Sequence, residues 1–329
     1  MTAPRLTIVT VNWNGGDEAV QNAGAVAALA LRRGDVELVL IDNASTDGSV
    51  EKLASMAAGT SVRLVRQSVN LGFGPASNAG AALARAPLLL FLNPDARPRE
   101  GDDPLEPLLT AAAREGRHAG FCPLLEDAEA PGRREAQESF QFRRLVTPAS
   151  LAREMLLFDR ILWGGGFRRE GRYLDQDRSV PFDVEQPAAA ALAIRREVFL
   201  RLGGFDERFT PAWWEDVDLA ARFAGAGERF VTVPGSRFVH RGGSSIAAEG
   251  RLVEREYRRI YGRNLLRYAE KWWGEGSLPW VRALLASGGA IRLALAASGF
   301  RGDRARKVTL EAARGTFESA FLSIDGEAR

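Results

Sequence analysis

The first 95 residues alternate short apolar runs with helix-like segments. The apolar runs predict four strands, and the stretches between them predict three helices. The strand candidates are LTIVTVNW, VELVLID, VRLVRQ and LLLFLNPD, and the helix candidates are Ala19 to Leu31, SVEKLASMAA and PASNAGAALARA. Strands that are apolar throughout and alternate with helices are typical of a parallel sheet covered on both faces. With right-handed crossovers, the pattern predicts a doubly wound, mostly parallel α/β sheet.

The pattern is less regular in the second half of the chain. Charged residues, Pro and Gly dominate from Glu126 to Pro148, and WGGGFRREG at 163–171 is rich in Gly, so we expect both stretches to be loops. AAAALAIRREVFLRLGG predicts a strand that runs into a helix, which Gly203 and Gly204 end. EDVDLAARFAGAG predicts another helix, and RFVTVP and SRFVHR predict two strands.

Beyond Gly250 the chain has a helical pattern and is rich in aromatic and basic residues. EREYRRIYGRNLLRYAEKWWG predicts one helix, and we expect two short apolar helices around Gly288-Gly289, before the basic run RGDRARK. We therefore expect a domain over 1–249, with halves 1–125 and 126–249, followed by a helical extension over 250–329.

Composition and charge narrow the functional classes. The net charge of +2 indicates no strongly polyanionic partner, and so no nucleic acid. The single cysteine, Cys122, excludes an intrachain disulfide and fits a reducing compartment. The N-terminus lacks the pattern of a secretory signal, and the most apolar stretch, from Leu278, is interrupted by Arg282, Arg292 and the Gly pair. We expect a soluble, cytoplasmic chain without a membrane-spanning helix.

The stretch NLGFGPASNAG, residues 70–80, resembles the glycine fingerprint of dinucleotide-binding proteins. Gly72 and Gly74 match its first two glycines, but Ser77 stands where the last is required, and Asp95 follows as a distant acid. In nicotinamide and flavin enzymes the fingerprint opens the first strand–helix unit. TIVTVNWNGG, which occupies that place here, lacks it. The stretch therefore disfavours a hydride-transfer enzyme.

Asn or Asp follows each of the four predicted strands. In open α/β sheets ligands bind at the carboxyl ends of the strands, and such a row of polar groups suits a nucleotide. The alternative is that these residues start turns and cap helices. Asp95, beside Pro94, is also a candidate ligand for a hard cation such as Mg²⁺ or Mn²⁺. The residues concerned are Asn12, Asn14, Asp42, Asn43, Asn70, Asn93 and Asp95.

A second acidic cluster opens the helix predicted from EDVDLAARF. Glu215, Asp216 and Asp218 follow Trp213 and Trp214 directly. Acids at a helix start are favoured by the helix dipole, which is the structural explanation for the cluster. The functional explanation is that the Trp pair raises the pKa of an acid beside it and stacks on a sugar. His240, one of two histidines, lies at a predicted strand end, where a structural role and a site role both remain open.

Taken together, these motifs resemble the family 2 inverting glycosyltransferases with a GT-A fold. Their rhamnosyltransferase-like branch, which builds bacterial cell-envelope polysaccharides, is the most similar one. The resemblance covers roughly residues 6 to 246, with the motifs in the correct order and spacing. They are TIVTVNWNG, LVLIDNASTDGS, NLGFGPASNAG, LLLFLNPD, IRREVFLRLGGFDERF, WWEDVDLAARFAGAG and VHRGGSS.

The resemblance implies a nucleotide-sugar donor, bound by residues 1–125, and a divalent metal, Mg²⁺ or Mn²⁺. It implies that Thr10 and Asn12 line the base and ribose pocket, and that Asp42 holds the base or ribose. Asp95 stands where the family's D-x-D motif has its metal-binding aspartate, and His240 matches a histidine that joins the metal or diphosphate. Asn70, Gly72, Gly74, Asn78 and Asn93 are the remaining candidate contacts of the nucleotide sugar.

The resemblance implies that the second half, residues 126–249, binds the acceptor and contains the catalytic residue. Asp216 matches the catalytic base, which takes the proton of an acceptor hydroxyl in a single, inverting displacement. Trp213, Trp214, Glu215 and Asp218 are expected to bind the acceptor or orient the loop. Two positions depart from the pattern: Asn93 replaces the first acid of D-x-D, and Ala189 stands where relatives often have Gly. The second departure leaves the identity of the sugar open.

The resemblance favours dTDP-rhamnose as the donor and a glycan or lipid-linked acceptor in cell-envelope polysaccharide synthesis. For the tail from residue 250 two alternatives stay open. Its helices pack on the catalytic domain or on a second subunit of a homodimer, or they attach peripherally to the anionic inner face of the membrane. A non-catalytic nucleotide-sugar-binding module on the same fold is the alternative function. A glycosidase would leave the first 95 residues unexplained.

Overall fold

A computed structural model describes residues 3–127 apart from 59, 61, 115 and 117, and then 140–157, 166–241, 254–297 and 303–325. The strands are β1 (Leu6–Asn12), β2 (Val36–Asp42), β3 (Arg63–Arg66), β4 (Leu88–Leu92), β5 (Ala96–Arg97), β6 (His118–Asp127), β7 (Phe142–Arg143), β8 (Asp183–Val184), β9 (Gln186–Pro187), β10 (Ala191–Arg195) and β11 (Arg229–His240). The helices are α1 (Gly16–Arg33), α2 (Ser49–Ala57), α3 (Phe73–Leu83), α4 (Leu105–Ala113), α5 (Pro148–Met155), α6 (Gly166–Gly171), α7 (Arg196–Arg201), α8 (Glu215–Gly225), α9 (Glu254–Trp273), α10 (Leu278–Ala297) and α11 (Asp303–Ser319).

In the described residues, nine strands form the main sheet, in the order β3-β2-β1-β4-β10-β6-β11-β5, with β8 beside β11. Strands β3, β2, β1 and β4 are parallel neighbours, and β11 is parallel to β6. Strand β10 is antiparallel to both β4 and β6. Strands β7 and β9 form a separate two-stranded sheet. The predicted mostly parallel α/β sheet, with its first four strands and three helices, is confirmed.

Alternate residues of the central strands face two separate cores. One core contains Leu6 and Ile8 of β1 and is covered by helices α1, α2 and α4. The other contains Val9 of β1 and Phe91 of β4, and it is covered by α3, α7 and α8. Because both faces are covered, the central strands need no polar face, which explains their continuous apolar runs.

Two predicted features of the second half differ in the structure. RFVTVP and SRFVHR are one strand, β11, because the pairing with β6 resumes after a register shift between Val233 and Arg237. A β-bulge of this kind absorbs Pro234 and Gly235 without ending the strand. The expected loop at 163–171 contains the short helix α6. Residues 128–139 of the expected loop at 126–148 lie outside the described residues.

The chain forms two compact units. The sheet unit comprises 1–145, 170–206 and 216–248, and the helical unit comprises 146–169, 207–215 and 249–329. This division differs from the expected one at 249/250, because two earlier segments also pack with the C-terminal helices. The boundary itself lies among residues 242–253, outside the described residues.

Within the helical unit, helix α10 runs unbroken through Gly288-Gly289, so the expectation of two short helices is wrong. The glycines allow close packing instead of ending the helix. A Cβ atom at Gly288 would lie 2.9 Å from the carbonyl oxygen of Met155, and one at Gly289 would lie 2.6 Å from the amide nitrogen of Phe317.

Helix α10, with the turn before it, bears on the membrane prediction. In the described residues, Glu275–Ala297 is one helical stretch long and apolar enough to cross a membrane, with a mean hydropathy of 1.3. That result rests on length and composition alone. Two arginines of α10 donate to main-chain carbonyls of the same unit: Arg282 to Ala320 and Leu322, and Arg292 to Met155 and Glu154.

Candidate active site

Strand direction brings the candidate site residues to one edge of the sheet. Strands β1, β2 and β4 are parallel, so their carboxyl ends meet there. Strand β10 is antiparallel, and its first residue, Ala191, pairs with Leu92 at the end of β4. The residues just before β10 therefore lie at the same edge.

The loop after β1 is tied to the loop after β2 by buried side chains. Asn12 Nδ2 lies 2.8 Å from Oδ1 of Asp42 and 2.9 Å from Oγ of Ser49. The second carboxylate oxygen of Asp42 accepts from the amide of Ser45 at 3.1 Å. Asp42 is thus engaged internally at both oxygens. Among the described residues, Asn12 Oδ1 has no hydrogen-bond partner although it is buried, so it can accept from a ligand.

An asparagine pair orders the stretch that resembles the glycine fingerprint. Asn43 Nδ2 donates to Oδ1 of Asn70 at 2.7 Å, and the amide of Gly72 donates to the same oxygen at 2.9 Å. Asn43 Oδ1 accepts from the amide of Leu71 at 3.0 Å. Gly72 has φ +89°, a conformation that a residue with a Cβ rarely adopts, and Gly74 is buried in the first turn of α3. Asn43, one of the polar residues expected at this edge of the sheet, thus orders the loop through its side-chain amide.

Asn78 has a different environment from the one expected. Its side-chain Nδ2 donates to the carbonyl of Phe205 at 2.9 Å, and its Oδ1 accepts from the amide of the same residue at 2.9 Å. This pair links α3 to the loop after α7. Because both ends of the amide are used within the sheet unit, we leave Asn78 out of the candidate site.

Asp95 and His240 come together through strand pairing. Strand β5 follows Asp95 directly and pairs with β11, so that Ala96 lies opposite His240. Asp95 Oδ1 is 3.2 Å from His240 Nε2, and both side chains are 4% exposed. Phe140, which the predicted site did not include, stacks on the imidazole with ring centroids 6.3 Å apart.

The Asp95–His240 pair suits a divalent cation as a partial ligand set. A carboxylate oxygen and an imidazole nitrogen are both common ligands, and Mg²⁺ or Mn²⁺ completes its coordination with substrate phosphates. In the part of the chain that the structure describes, no group of three or more His, Cys, Asp or Glu side chains could hold a metal by itself. A metal here would therefore depend on a second source of oxygen ligands, such as a diphosphate.

Asp216 opens α8 within the sheet unit. Its Oδ1 accepts from the amide of Val217 at 2.8 Å, and its Oδ2 accepts from the amide of Ala189 at 3.4 Å. Burial raises the pKa of Asp216, against the opposing charge of Arg143 and the backbone amides. A carboxylate with a raised pKa is a stronger base than an ordinary aspartate, as proton abstraction near neutral pH requires.

The segment before β10 connects Asp216 to the Asp95 loop. Ala189 donates to Asp216, and the carbonyl of Ala190 accepts from the amide of Asn93 at 2.9 Å. Asn93 in turn accepts from Ala96 at its carbonyl at 3.0 Å, which closes the turn around Asp95. The bond from the Ala189 amide to the candidate base and the backbone bond between Asn93 and Ala190 thus link that base to the turn that holds the candidate metal ligand, at the same edge of the sheet.

The other acids of the cluster differ from Asp216. Asp218 is fully buried and accepts from Nε of Arg222 at 2.8 Å, one turn along α8. An acid enclosed in this way cannot reach an acceptor, so the ion pair with Arg222 explains its presence. Glu215 is buried at the start of α8 and belongs to the helical unit.

Trp213 and Trp214 are held within the helical unit. Both have left-handed backbones, with φ 71° and 78°, which are rare for bulky residues. The Trp213 ring lies 4.3 Å from that of Tyr257, and the Trp214 ring lies 5.0 Å from that of Tyr268. Asn264 on the same helix, α9, donates to the carbonyl oxygens of Ala212 and Trp213.

The chain is similar to known proteins in sequence and in fold. The model of the family described as glycosyl transferase family 2 matches residues 7–199. A Mycobacterium tuberculosis protein described as N-acetylglucosaminyl-diphospho-decaprenol L-rhamnosyltransferase is 30% identical over 246 residues, which cover 71% of this chain and 75% of that protein.

Solved structures that share the fold include two sugar transferases. The mannosyltransferase PcManGT from Pyrobaculum calidifontis, in complex with GDP-Man and Mn²⁺, is 16% identical, with a TM-score of 0.55 over 98% of this chain and 87% of that one. The structure of GalNAc-T7 with UDP, GalNAc and Mn²⁺ is 17% identical, with a TM-score of 0.55 over 97% of this chain and 56% of that one. The expected GT-A architecture is confirmed.

Proposed function

The chain belongs to glycosyl transferase family 2, and on that premise we propose that it is an inverting sugar transferase with Asp216 as its general base. One observation supports this most directly. Asp216, whose pKa burial raises, is hydrogen-bonded to Ala189, and the next residue, Ala190, is hydrogen-bonded to the turn that holds Asp95. Transfer from a nucleotide sugar requires a base for the acceptor hydroxyl near a group that neutralises the diphosphate, and these two candidates lie at one edge of the sheet.

The donor is a nucleotide sugar, with dTDP-rhamnose as the first candidate. The relative's description as an L-rhamnosyltransferase supports the sugar, at 30% identity. The buried Oδ1 of Asn12 has no hydrogen-bond partner among the described residues, which supports a bond from a base N–H or a ribose hydroxyl, and Thr10 lies two residues earlier in β1. Asp42 fixes Asn12 in this role, since its own oxygens are already engaged.

Asp95 and His240 would hold a divalent cation, Mg²⁺ or Mn²⁺, together with the donor diphosphate. When bound, such a cation supplies positive charge that stabilises the leaving nucleoside diphosphate. The close pair of an acid and an imidazole supports this assignment. So do the Mn²⁺ ions in the two solved structures compared above.

The reaction is a single in-line displacement. Asp216 accepts the proton of the acceptor hydroxyl as that oxygen attacks the anomeric carbon, the bond from that carbon to the diphosphate breaks, and the configuration inverts. General-base assistance of this kind contributes about 10²–10⁴ in rate. The amides of Val217 and Ala189 fix the carboxylate while it waits for the proton.

The acceptor is a glycan or a lipid-linked sugar of cell-envelope polysaccharide synthesis, as the diphospho-decaprenol in the relative's description suggests. We place the protein in the cytoplasm at the inner face of the membrane, where such a lipid would meet the donor. Exposed apolar side chains of the helical unit support a peripheral contact, namely Leu295, Phe317 and Phe321. A homodimer stays an untested alternative for the same surface.

A panel of nucleotide sugars tests the proposal. Binding is measured by calorimetry with Mn²⁺, and release of nucleoside diphosphate is then measured with a short polyprenyl-diphosphate-linked sugar as acceptor. We expect one dTDP-sugar to bind and to be consumed. Binding without release under any of these conditions would favour the non-catalytic binding module.

A further inference from the structure

Arg143 and Gln186 face each other in the small second sheet, and the proposed reaction assigns neither of them a role. Strands β7 and β9 are antiparallel, and Arg143 pairs with Gln186 in their register. Directly opposed residues of an antiparallel pair project from the same face of the sheet. The two side chains therefore share one face, while Phe142 and Pro187 share the other.

This small sheet is fixed against the candidate active site by Gln141. The Gln141 side chain accepts from the amide of Leu125 at 3.1 Å and donates to the carbonyl of Pro123 at 2.5 Å, so it anchors β7 to β6. Its main-chain carbonyl accepts from the amide of Ala188 at 2.8 Å. The next residue, Ala189, is the one that donates to Asp216. Gln141, two residues before Arg143, is thus bonded to the same segment, 188–189, that is bonded to Asp216.

The Arg143 guanidinium interacts with the charge of Asp216 but forms no close ion pair among the described residues. Its Nε atom is buried without a hydrogen bond there, and none of the ion pairs includes it. Its charge acts on Asp216 from a distance, since it opposes the rise in the pKa of that carboxyl. The neighbouring Arg144, by contrast, is paired with both Glu170 and Glu185. Arg143 therefore provides a guanidinium near Asp216 that can bind an anionic ligand.

Gln186 adds a second available group on the same face. The residue is 3% exposed, and its Oε1 atom has no hydrogen-bond partner in the described part of the chain. Leaving a buried amide oxygen unsatisfied is unfavourable, so a ligand or a water usually completes its hydrogen bonding. A buried acceptor beside a guanidinium suits a ligand that offers both an anion and a hydroxyl or N–H group.

We propose that Arg143 and Gln186 recognise the acceptor, with Arg143 binding the phosphate that joins the acceptor sugar to its carrier and Gln186 accepting a hydrogen bond from the sugar. A guanidinium binds phosphate by paired, charge-assisted hydrogen bonds. Asp216 takes its proton from a hydroxyl of the acceptor, so an anion site beside this base meets another part of the same molecule. This inference rests on the proposed function, and it makes a sugar phosphate the preferred acceptor class.

The test compares two acceptors with one sugar, a glycosyl diphosphate with a short alkyl chain and the neutral alkyl glycoside. For the parent protein we expect a KM for the diphosphate acceptor lower by at least about tenfold, the scale of a charge-assisted hydrogen-bond pair. In Arg143→Gln this preference should shrink to nearly one, while the KM for the donor stays the same. Arg144→Gln is the matched control and should keep the preference, because Arg144 is already neutralised by two acids.

Arg143→Lys provides a second variant that keeps the charge without the forked donor, and it should retain part of the preference. An unchanged preference in Arg143→Gln would overturn the proposal. A rise in the donor KM instead would show that Arg143 serves the donor diphosphate, which also overturns it. If the parent transfers sugar to neutral and phosphate acceptors equally, the proposed function stands and only this inference fails. Absence of any transfer by the parent would refute the proposed function and, with it, the inference.

Discussion

Asp95 Oδ1 lies 3.2 Å from His240 Nε2, at a place that the pairing of β5 with β11 fixes. If this pair holds a divalent cation, Asp95→Asn should raise the half-saturating Mn²⁺ concentration for activity by at least about tenfold. Donor binding by calorimetry should weaken in parallel, because the diphosphate and the cation bind together. Asp177→Asn serves as a control, since among the described residues Asp177 bonds within its own turn, through the amide of Ser179 at 2.8 Å. Full activity of the parent in EDTA would refute the metal assignment.

Asp216→Asn should reduce kcat by about 10²–10⁴ and leave the donor KM nearly unchanged. The amide keeps one oxygen for the 2.8 Å bond from Val217 and gives up only the longer, 3.4 Å bond from Ala189, so the start of α8 should stay in place. The measurement is steady-state kinetics with donor and acceptor varied in turn. Near-normal turnover in the variant would exclude Asp216 as the base.

The pH dependence of the parent gives an independent test of the same carboxyl. Burial raises the pKa of Asp216, and a base works only when deprotonated. As the pH is lowered, kcat/KM should therefore begin to fall, in an acid limb, at a pH above the ordinary aspartate pKa of about 3.9. Arg143→Gln should move this acid limb to still higher pH, because the charge that opposes the rise is lost. An acid limb at the ordinary value in the parent would contradict the role of burial.

Stability should respond to Asp216 in the opposite sense to activity. A carboxyl whose folded-state pKa is raised destabilises the folded state when charged, at pH values above that pKa. Asp216→Asn should therefore raise the Tm at pH 8, and its advantage should shrink as the pH falls and the parent carboxyl takes up a proton. Thermal unfolding at several pH values measures this. A lower Tm for the variant at pH 8 would show that the charged carboxylate is needed for folding.

Asn264→Ala should destabilise the helical unit by about 1–3 kcal/mol, because it leaves buried carbonyl oxygens without donors. Asn264 is fully buried, and its Nδ2 lies 2.9 Å from the oxygen of Ala212 and 3.1 Å from that of Trp213. Denaturant unfolding followed by tryptophan fluorescence measures the loss. Arg258→Ala removes an exposed ion pair from the same helix and should cost less than about 1 kcal/mol. Equal losses in the two variants would argue against the special role of Asn264.

Gly289→Ala should lower the free energy of unfolding by about 1–3 kcal/mol, the usual scale of overpacking. The added Cβ would lie 2.6 Å from the amide nitrogen of Phe317, a backbone atom that cannot turn aside. Gly276→Ala is the matched control, since a Cβ there meets nothing within 4 Å. Equal stability of the two variants would show that Gly289 in α10 does not approach the backbone of Phe317 in α11 this closely in solution.

The sequence predicted the first half of the fold well because its information there is local. Apolar runs and helical periods determine β1 to β4 and α1 to α3, and strand direction then brings Asn12, Asp42 and Asp95 to one edge. Asp216 is a candidate base only through the family resemblance, since the helix dipole explains an acidic helix start equally well from the residues alone.

The remaining features depend on long-range pairing that no local pattern reveals. Strands β7 and β9 contain two residues each, too few to show a period, so Arg143 and Gln186 gave no signal. Asn78 looked like a ligand contact because of its motif, but its partner is Phe205, far along the chain. Gly288-Gly289 looked like a helix end because a glycine pair is a poor helix former, whereas tertiary packing keeps the helix intact.

The way the chain alternates between its two units has a consequence for how the helical unit can be exchanged between relatives. The helical unit draws on three separate segments, 146–169, 207–215 and 249–329, with the sheet unit contributing the sequence between them. No single recombination point can therefore exchange one unit for that of a relative. A graft of the last 80 or so residues alone would pair a foreign helix with the native loop that contains Trp213 and Trp214. Divergence within this architecture therefore requires matched substitutions in that loop and in the C-terminal helices.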